Sequence, residues 1–228
     1  MIYPGRKDEK GMPMARKTMF AAFAALALLS GCGGGGGGLG DGGFGYGFNY
    51  FTLVQVRPTP VARGAMEVTP GVQWNRAPRT YYDISREENW TLNGPILDSL
   101  AFLGGIPNNQ AIVRQRRRDE RQVPNFRADM TPPEIASMIE SFYRIRAGAT
   151  RFEMTGLQPR TFLGQQGFQF DYDHLGGDEV QRRGRAVGAV INSRLYLILF
   201  DATRLHYFPT GLPEFERIVQ SARLRSNR

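Results

Sequence analysis

The chain has 228 residues, a formal net charge of +8 and a composition that is 41% hydrophobic and 11% aromatic, which suits one domain with a real core. Beyond Cys32 there is no lysine, and 24 arginines face 19 acids for a net charge of +5; this removes P-loop phosphate binding and Schiff-base chemistry from that part. Cys32 is the sole cysteine and His174 and His206 the only histidines, so disulfides, thiolate-ligated zinc and multi-histidine metal sites are excluded as well.

Residues 1–13 are polar, mixed in charge and contain two prolines, an unusual lead for an exported chain. Met14 opens the more conventional start MARKTMF, so translation is expected from Met14 or Met12 rather than Met1. Arg16 and Lys17 form a basic segment, and Met19 to Leu29 is an apolar run of 11 residues. That order is a secretory signal peptide, and the run falls well short of the roughly 20 residues that span a bilayer. The triplet immediately before Cys32, Leu29-Ser30-Gly31, is not A-x-A-like. Leu29-Ser30-Gly31-Cys32 instead resembles the lipobox of bacterial lipoproteins. The resemblance implies cleavage before Cys32, a diacylglycerol on its thiol and an acyl chain on its new amine. Several acyl chains give stable anchoring at ~0.8 kcal/mol per buried CH₂. Gly33, rather than an aspartate, comes after the cysteine, which by the sorting rule of enterobacterial lipoproteins implies the outer membrane, facing the periplasm. The expected organisation is therefore a signal peptide over 1–31, a lipidated cysteine and tether over 32–49, and one globular domain over 50–228.

Eleven of the fifteen residues from Gly33 to Gly47 are glycine, a flexible coil reaching about 20 Å. Phe44, Tyr46 and Phe48 alternate with small residues, as an interfacial segment or the start of a strand would. Phe51 to Arg57 reads as a strand ended by Pro58 and Pro60, with weaker strands at Gly71–Asn75, Tyr81–Ile84 and Trp90–Leu92. Asn93-Gly94-Pro95 reads as a helix start; Ile96, Leu97, Leu100 and Leu103 keep helical spacing, and Gly104-Gly105 ends it. A strand is expected over Ala111–Arg118. Thr131-Pro132-Pro133-Glu134 is a capping box leading into the stripe Ile135, Met138, Ile139, Phe142 and Ile145, with Gly148 as the stop.

The second half reads as strands at Arg151–Met154, Arg160–Leu163 and Gln166–Asp173. In the last of these, Phe168, Phe170 and Tyr172 share one face and Gln169, Asp171 and Asp173 the other. Val180–Ile191 and Leu195–Asp201 form a hairpin through Asn192-Ser193. LYLILF is apolar on both faces, which marks a central strand covered on both sides. Gly184, Ala186 and Gly188 on its partner leave room for a helix to lie close. A last helix runs from Pro213 to about Leu224 with Phe215, Ile218, Val219 and Ala222 inward. The class is α+β, a mostly antiparallel sheet with about three helices packed on it. The Gly167-centred strand, the hairpin ending in LYLILF and the closing FERIVQSARL resemble the PsbP family of lumenal proteins over about sixty residues. That resemblance implies an antiparallel sheet between helices and an accessory or assembly role; it assigns no functional residue.

Three clusters carry candidate chemistry. Asp171, Asp173, His174 and Asp178 offer three carboxylates and an imidazole to a hard divalent ion or Mn²⁺, or else are a polar strand edge running into a turn. His206, read within a short strand at Leu205–Phe208, would act with His174 and Asp201 as acid and base only if the fold brings them together. Arg114, Arg116 and Arg118, in a basic run that also holds Arg117 and Arg121, would share one face of a strand. They would contact lipid phosphate, lipopolysaccharide or an acidic partner, or simply guard an edge against pairing. The lysine-free arginine composition suits phosphate or carboxylate binding, and equally a genome's base composition. The sequence shows no serine-hydrolase elbow or other catalytic motif. The leading expectation is a non-enzymatic, membrane-anchored binding or assembly domain, with no cofactor beyond its own lipid and no nucleic-acid partner. A metal-dependent hydrolase and a lipid or glycan carrier are the alternatives.

Overall fold

The computed structural model describes residues 50–225 apart from 80–82, 85 and 117. The signal peptide, Cys32 and the tether lie outside the described residues, as do Tyr81 and Tyr82 of the strand expected at Tyr81–Ile84, whose other two residues, Asp83 and Ile84, are not in a strand. Among the described residues there are eleven strands and two helices. They are β1 (Thr52–Val54), β2 (Thr59–Val61), β3 (Met66–Val68), β4 (Trp74–Arg76), β5 (Glu87–Thr91), β6 (Asp98–Pro107), α1 (Pro132–Ile145), β7 (Arg151–Phe162), β8 (Gln165–Leu175), β9 (Gln181–Ile191), β10 (Arg194–Thr203), α2 (Tyr207–Ser221) and β11 (Arg223–Leu224).

Eight strands form one antiparallel sheet in the order β1-β4-β5-β6-β10-β9-β8-β7, and β11-β3-β2 form a second, small one. The α+β class and the antiparallel sheet match the expectation; the helices number two among the described residues, not three. β10 lies inside the sheet with Leu195, Leu197 and Leu199 buried toward α1 and Ile198, Phe200 and Ala202 buried toward α2. Its hairpin with β9 turns through Asn192 and Ser193 at φ 50° and 59°, the pair of positive angles a type I′ turn requires. The larger sheet thus separates two cores, one under α1 and the other under α2 and the small sheet.

The helix expected from Pro95 is strand β6. Its apolar run serves both cores, Leu100 and Phe102 on the α2 side and Leu103 on the α1 side, so helical and strand spacing are both satisfied by the letters alone. Asn93-Gly94-Pro95 is a turn organised by buried Asp98, whose carboxyl accepts from Thr91 Oγ1 and the Leu92 and Asn93 amides at 2.7, 2.7 and 2.9 Å. Gly105 (φ 68°) is the extra residue of a β-bulge against Leu195 and Tyr196, not a helix stop. The strand expected at Ala111–Arg118 is instead part of an irregular loop. Its backbone ladder gives way to the Gln115 side chain, which both donates to and accepts from the Val123 backbone at 2.8 and 2.9 Å. β7 is one strand where two short ones were expected, with a bulge between Thr155 and Gln158 at Gly156 (φ 63°).

Side chains of the neighbouring strands occupy the room beside the β9 glycines. A Cβ at Gly184 would strike the Tyr172 ring and one at Gly188 the Leu197 and Phe168 side chains, so neighbouring strands fill the gap left by the glycines. α2 begins six residues before Pro213 because Phe208 is buried in this first turn, its ring 5.7 Å from Phe200.

Candidate functional site

α1 starts where its sequence signal places it. Glu134 takes the backbone N–H and the hydroxyl of Thr131 at 2.7 and 2.8 Å, and those bonds hold its carboxyl below the usual range. This fixes Met130, Pro132, Pro133 and Ile135 as one wall of a groove. The opposite wall is the β7 bulge, where Gly156 and Leu157 leave the ladder and Leu157, Gln158 and Pro159 turn toward α1. The floor is Phe168 of β8 and Val190 of β9, with Gln166 and Gly167 at one end. The groove encloses about 490 Å³ and is mostly apolar, within the ~300–1,000 Å³ typical of small-ligand sites. Continuous apolar lining with a few amide side chains at the rim suits an acyl chain or the apolar side chains of a peptide. None of the candidate catalytic, metal-ligating or basic residues named from the sequence lines it, though Ile135 and Phe168 of the expected apolar faces do. The signal available in the sequence was Thr155-Gly156-Leu157-Gln158-Pro159, which interrupts an otherwise regular strand.

A second polar centre is buried behind α1. His174 Nε2 lies 2.8 Å from Asp201 Oδ2, and Tyr143 donates to the same oxygen at 3.2 Å. The Tyr143 and Tyr172 hydroxyls are 2.6 Å apart; since Tyr143 gives its proton to the bond with Asp201, Tyr172 donates to Tyr143. Burial raises both phenols well above their ordinary range; the phenols therefore stay neutral, and the nearby Asp201 charge acts in the same direction. The His174 ring centre lies 4.7 Å from that of Tyr143 with the two planes tilted by 49°, and its Nδ1 has no hydrogen-bond partner. These four residues join α1, β8 and β10, and none of them lines the groove.

The expected metal cluster is not assembled. Asp171 is held in a two-pronged pair by Arg185 at 2.7 and 2.8 Å, and Arg185 also reaches Glu216 on α2. Asp173 pairs with Arg183 at 3.1 Å. Asp178 pairs with Arg182, which pulls its pKa down to about 2. His174 points to the other face of β8, toward α1, as strand alternation requires. Among the described residues no three His, Cys, Asp or Glu side chains stand together as a metal site. Of the acid–base trio, the fold unites His174 and Asp201. His206 is exposed, in the turn that caps α2 rather than in a strand, with its ring edge-on to Tyr207.

Arg114, Arg116 and Arg118 lie on the loop between β6 and α1, not on the face of an edge strand, and Arg114 is exposed there. Ile112, Val113, Val123 and Phe126 anchor that loop in the α1 core. Asp119 closes its tip, accepting the Arg116 amide at 2.9 Å and the Arg146 guanidinium at 2.5 Å; those two bonds lower its pKa.

No family model matches the chain, and no curated protein matches it. Among solved structures it is similar to the solution structure of cyanobacterial PsbP (CyanoP) from Synechocystis, at 16% identity and a TM-score of 0.47, covering 82% of this chain and 99% of that one. It is also similar to the crystal structure of PA94, a protein of unknown function from Pseudomonas aeruginosa, at 12% identity and a TM-score of 0.41, covering 78% of this chain and all of that one.

Proposed function

We propose that this chain is a lipid-anchored, non-enzymatic binding domain of the bacterial envelope, and that the groove between α1 and the β7 bulge is where it takes hold of a partner protein. The anchor reading rests on the lipobox, the lone Cys32 and the Gly33 after it, and the location it implies is the outer membrane facing the periplasm. The groove carries the binding reading. It presents Leu157, Pro159 and Phe168 in an open apolar trough beside edge strand β7, where a partner's apolar side chains can seat. The separation of Asp171, Asp173 and Asp178 into individual arginine pairs supports a domain without metal hydrolysis.

The test is a photo-crosslinking residue in place of Gln158 at the groove rim, with a control in place of Leu205, which is 92% exposed. The expected result is one protein adduct from position 158 and none from 205. Leu157→Glu, which sets an unpaired charge in the trough, should weaken the adduct on the order of tenfold or more, as a loss of ~1.4 kcal/mol would. An adduct indifferent to Leu157→Glu would refute the groove as the binding site. A lipid adduct in its place would make the domain a carrier, the second reading, which the volume of the groove favours.

A further inference from the structure

We infer that the β1 margin of the domain rests on the membrane surface itself, so that the protein is held both by its lipid and by a second, weaker contact at this edge. The inference rests on the lipid-anchor reading above. The described chain begins at Tyr50, eighteen residues after Cys32, and leads directly into β1, the outermost strand of the large sheet. The first residues of that margin are apolar and exposed. Tyr50 is 91% exposed, Leu53 56% and Val56 53%, and Val72 beside β4 is 44% exposed. Leu53 stands on the outer face of β1 while Val54, its neighbour, is buried against Trp74. Val56 and Val72 flank the hydrogen-bonded pair Gln55 and Gln73. An apolar edge of this kind in water invites association, and natural sheets normally blunt such edges with charge.

The short tether and the local charge together select the occupant. From residue 42 to 82 the sequence holds four arginines, Arg57, Arg63, Arg76 and Arg79, and a single acid, Glu67. Glu67 is already paired with Arg223 of the small sheet, at 2.8 Å. Arg57 and Arg63 are exposed. Arg76 is held by Glu88 at 2.7 Å and Glu214 accepts the Gly71 and Val72 amides at 2.6 and 3.3 Å, which leaves Arg57 as the exposed arginine beside Val56; apolar and aromatic side chains next to that guanidinium match a lipid surface, where the apolar groups enter the interface and the guanidinium meets phosphate. A covalent lipid a short tether away keeps that surface within reach at high effective concentration, so even a weak contact is populated.

Site-specific labelling is direct because Cys32, the sole cysteine, is blocked by its thioether in the acylated protein. Acylated Leu53→Cys and Met154→Cys chains, the second on β7 at the opposite edge, would be purified from membranes, spin-labelled and placed in phosphatidylethanolamine–phosphatidylglycerol vesicles. The label at 53 should report a depth of about 5–10 Å below the headgroups, from high oxygen and low aqueous-reagent accessibility, while that at 154 reports water. Equal aqueous accessibility at both positions would overturn the inference. Spin–spin broadening between labels at 53 would assign the edge to a second copy and overturn it too. An N-terminal peptide without acyl mass would mark failure of the anchor reading instead.

Discussion

Glu87 is half-buried beside Asp83, and burial together with that neighbouring acid raises its pKa to about 7. The native state therefore keeps a proton that the unfolded chain has lost above about 4.5, and unfolding releases it. Stability contributed by this group is complete below about pH 4.5 and declines as pH rises through 7. Glu87→Gln should flatten that part of the stability curve, a change on the order of 1–3 kcal/mol read from urea midpoints on either side of the window. A variant with the parent slope would contradict the assignment. Asp178 works the other way: its pKa near 2 adds stability above the ordinary carboxylate range that is lost as pH falls through 2. Neither behaviour was legible in the letters. Asp178 reads as a ligand until Arg182 is seen across it, and His174 and His206 look equivalent until the fold buries one and exposes the other.

At the scale of elements, α1 is bound to the sheet through Tyr143, which reaches Asp201 of β10 and Tyr172 of β8. Asp201→Ala removes the acceptor shared by His174 and Tyr143 and strands two buried donors. The expected cost is ~2–4 kcal/mol, with α1 amides losing hydrogen-exchange protection ahead of β9 and β10. A cost below about 1 kcal/mol, or uniform loss of protection, would show that the network does not tie the helix down. Here the sequence was most readable where local chemistry and long-range packing agree. The Thr131–Glu134 cap gave α1 its start, and Asn192-Ser193 gave the β9–β10 turn. It misled where two periodicities fit one run, as at Leu97 to Leu103, and where a side chain substitutes for a ladder, as Gln115 does beside Val123. The groove stayed hidden because it depends on a bulge and a helix start that meet only in the fold.

At the scale of the whole molecule, β1 and β7 are the two outermost strands of an eight-stranded sheet, seven spacings of about 4.8 Å or roughly 33 Å apart. A chain anchored through the segment before β1 would hold its groove, beside β7, away from the headgroups and open to the aqueous envelope. That geometry favours a soluble or peptide-like occupant over bilayer lipid for the groove. All of this depends on Cys32 carrying fatty chains, and the direct measurement is the mass of the N-terminal peptide of the protein recovered from membranes. The expected product is a mature chain that begins at Cys32 with a diacylglyceryl thioether and an amide-linked acyl group. A chain that retains residues upstream of Cys32, or that begins there with an unmodified thiol, would contradict it.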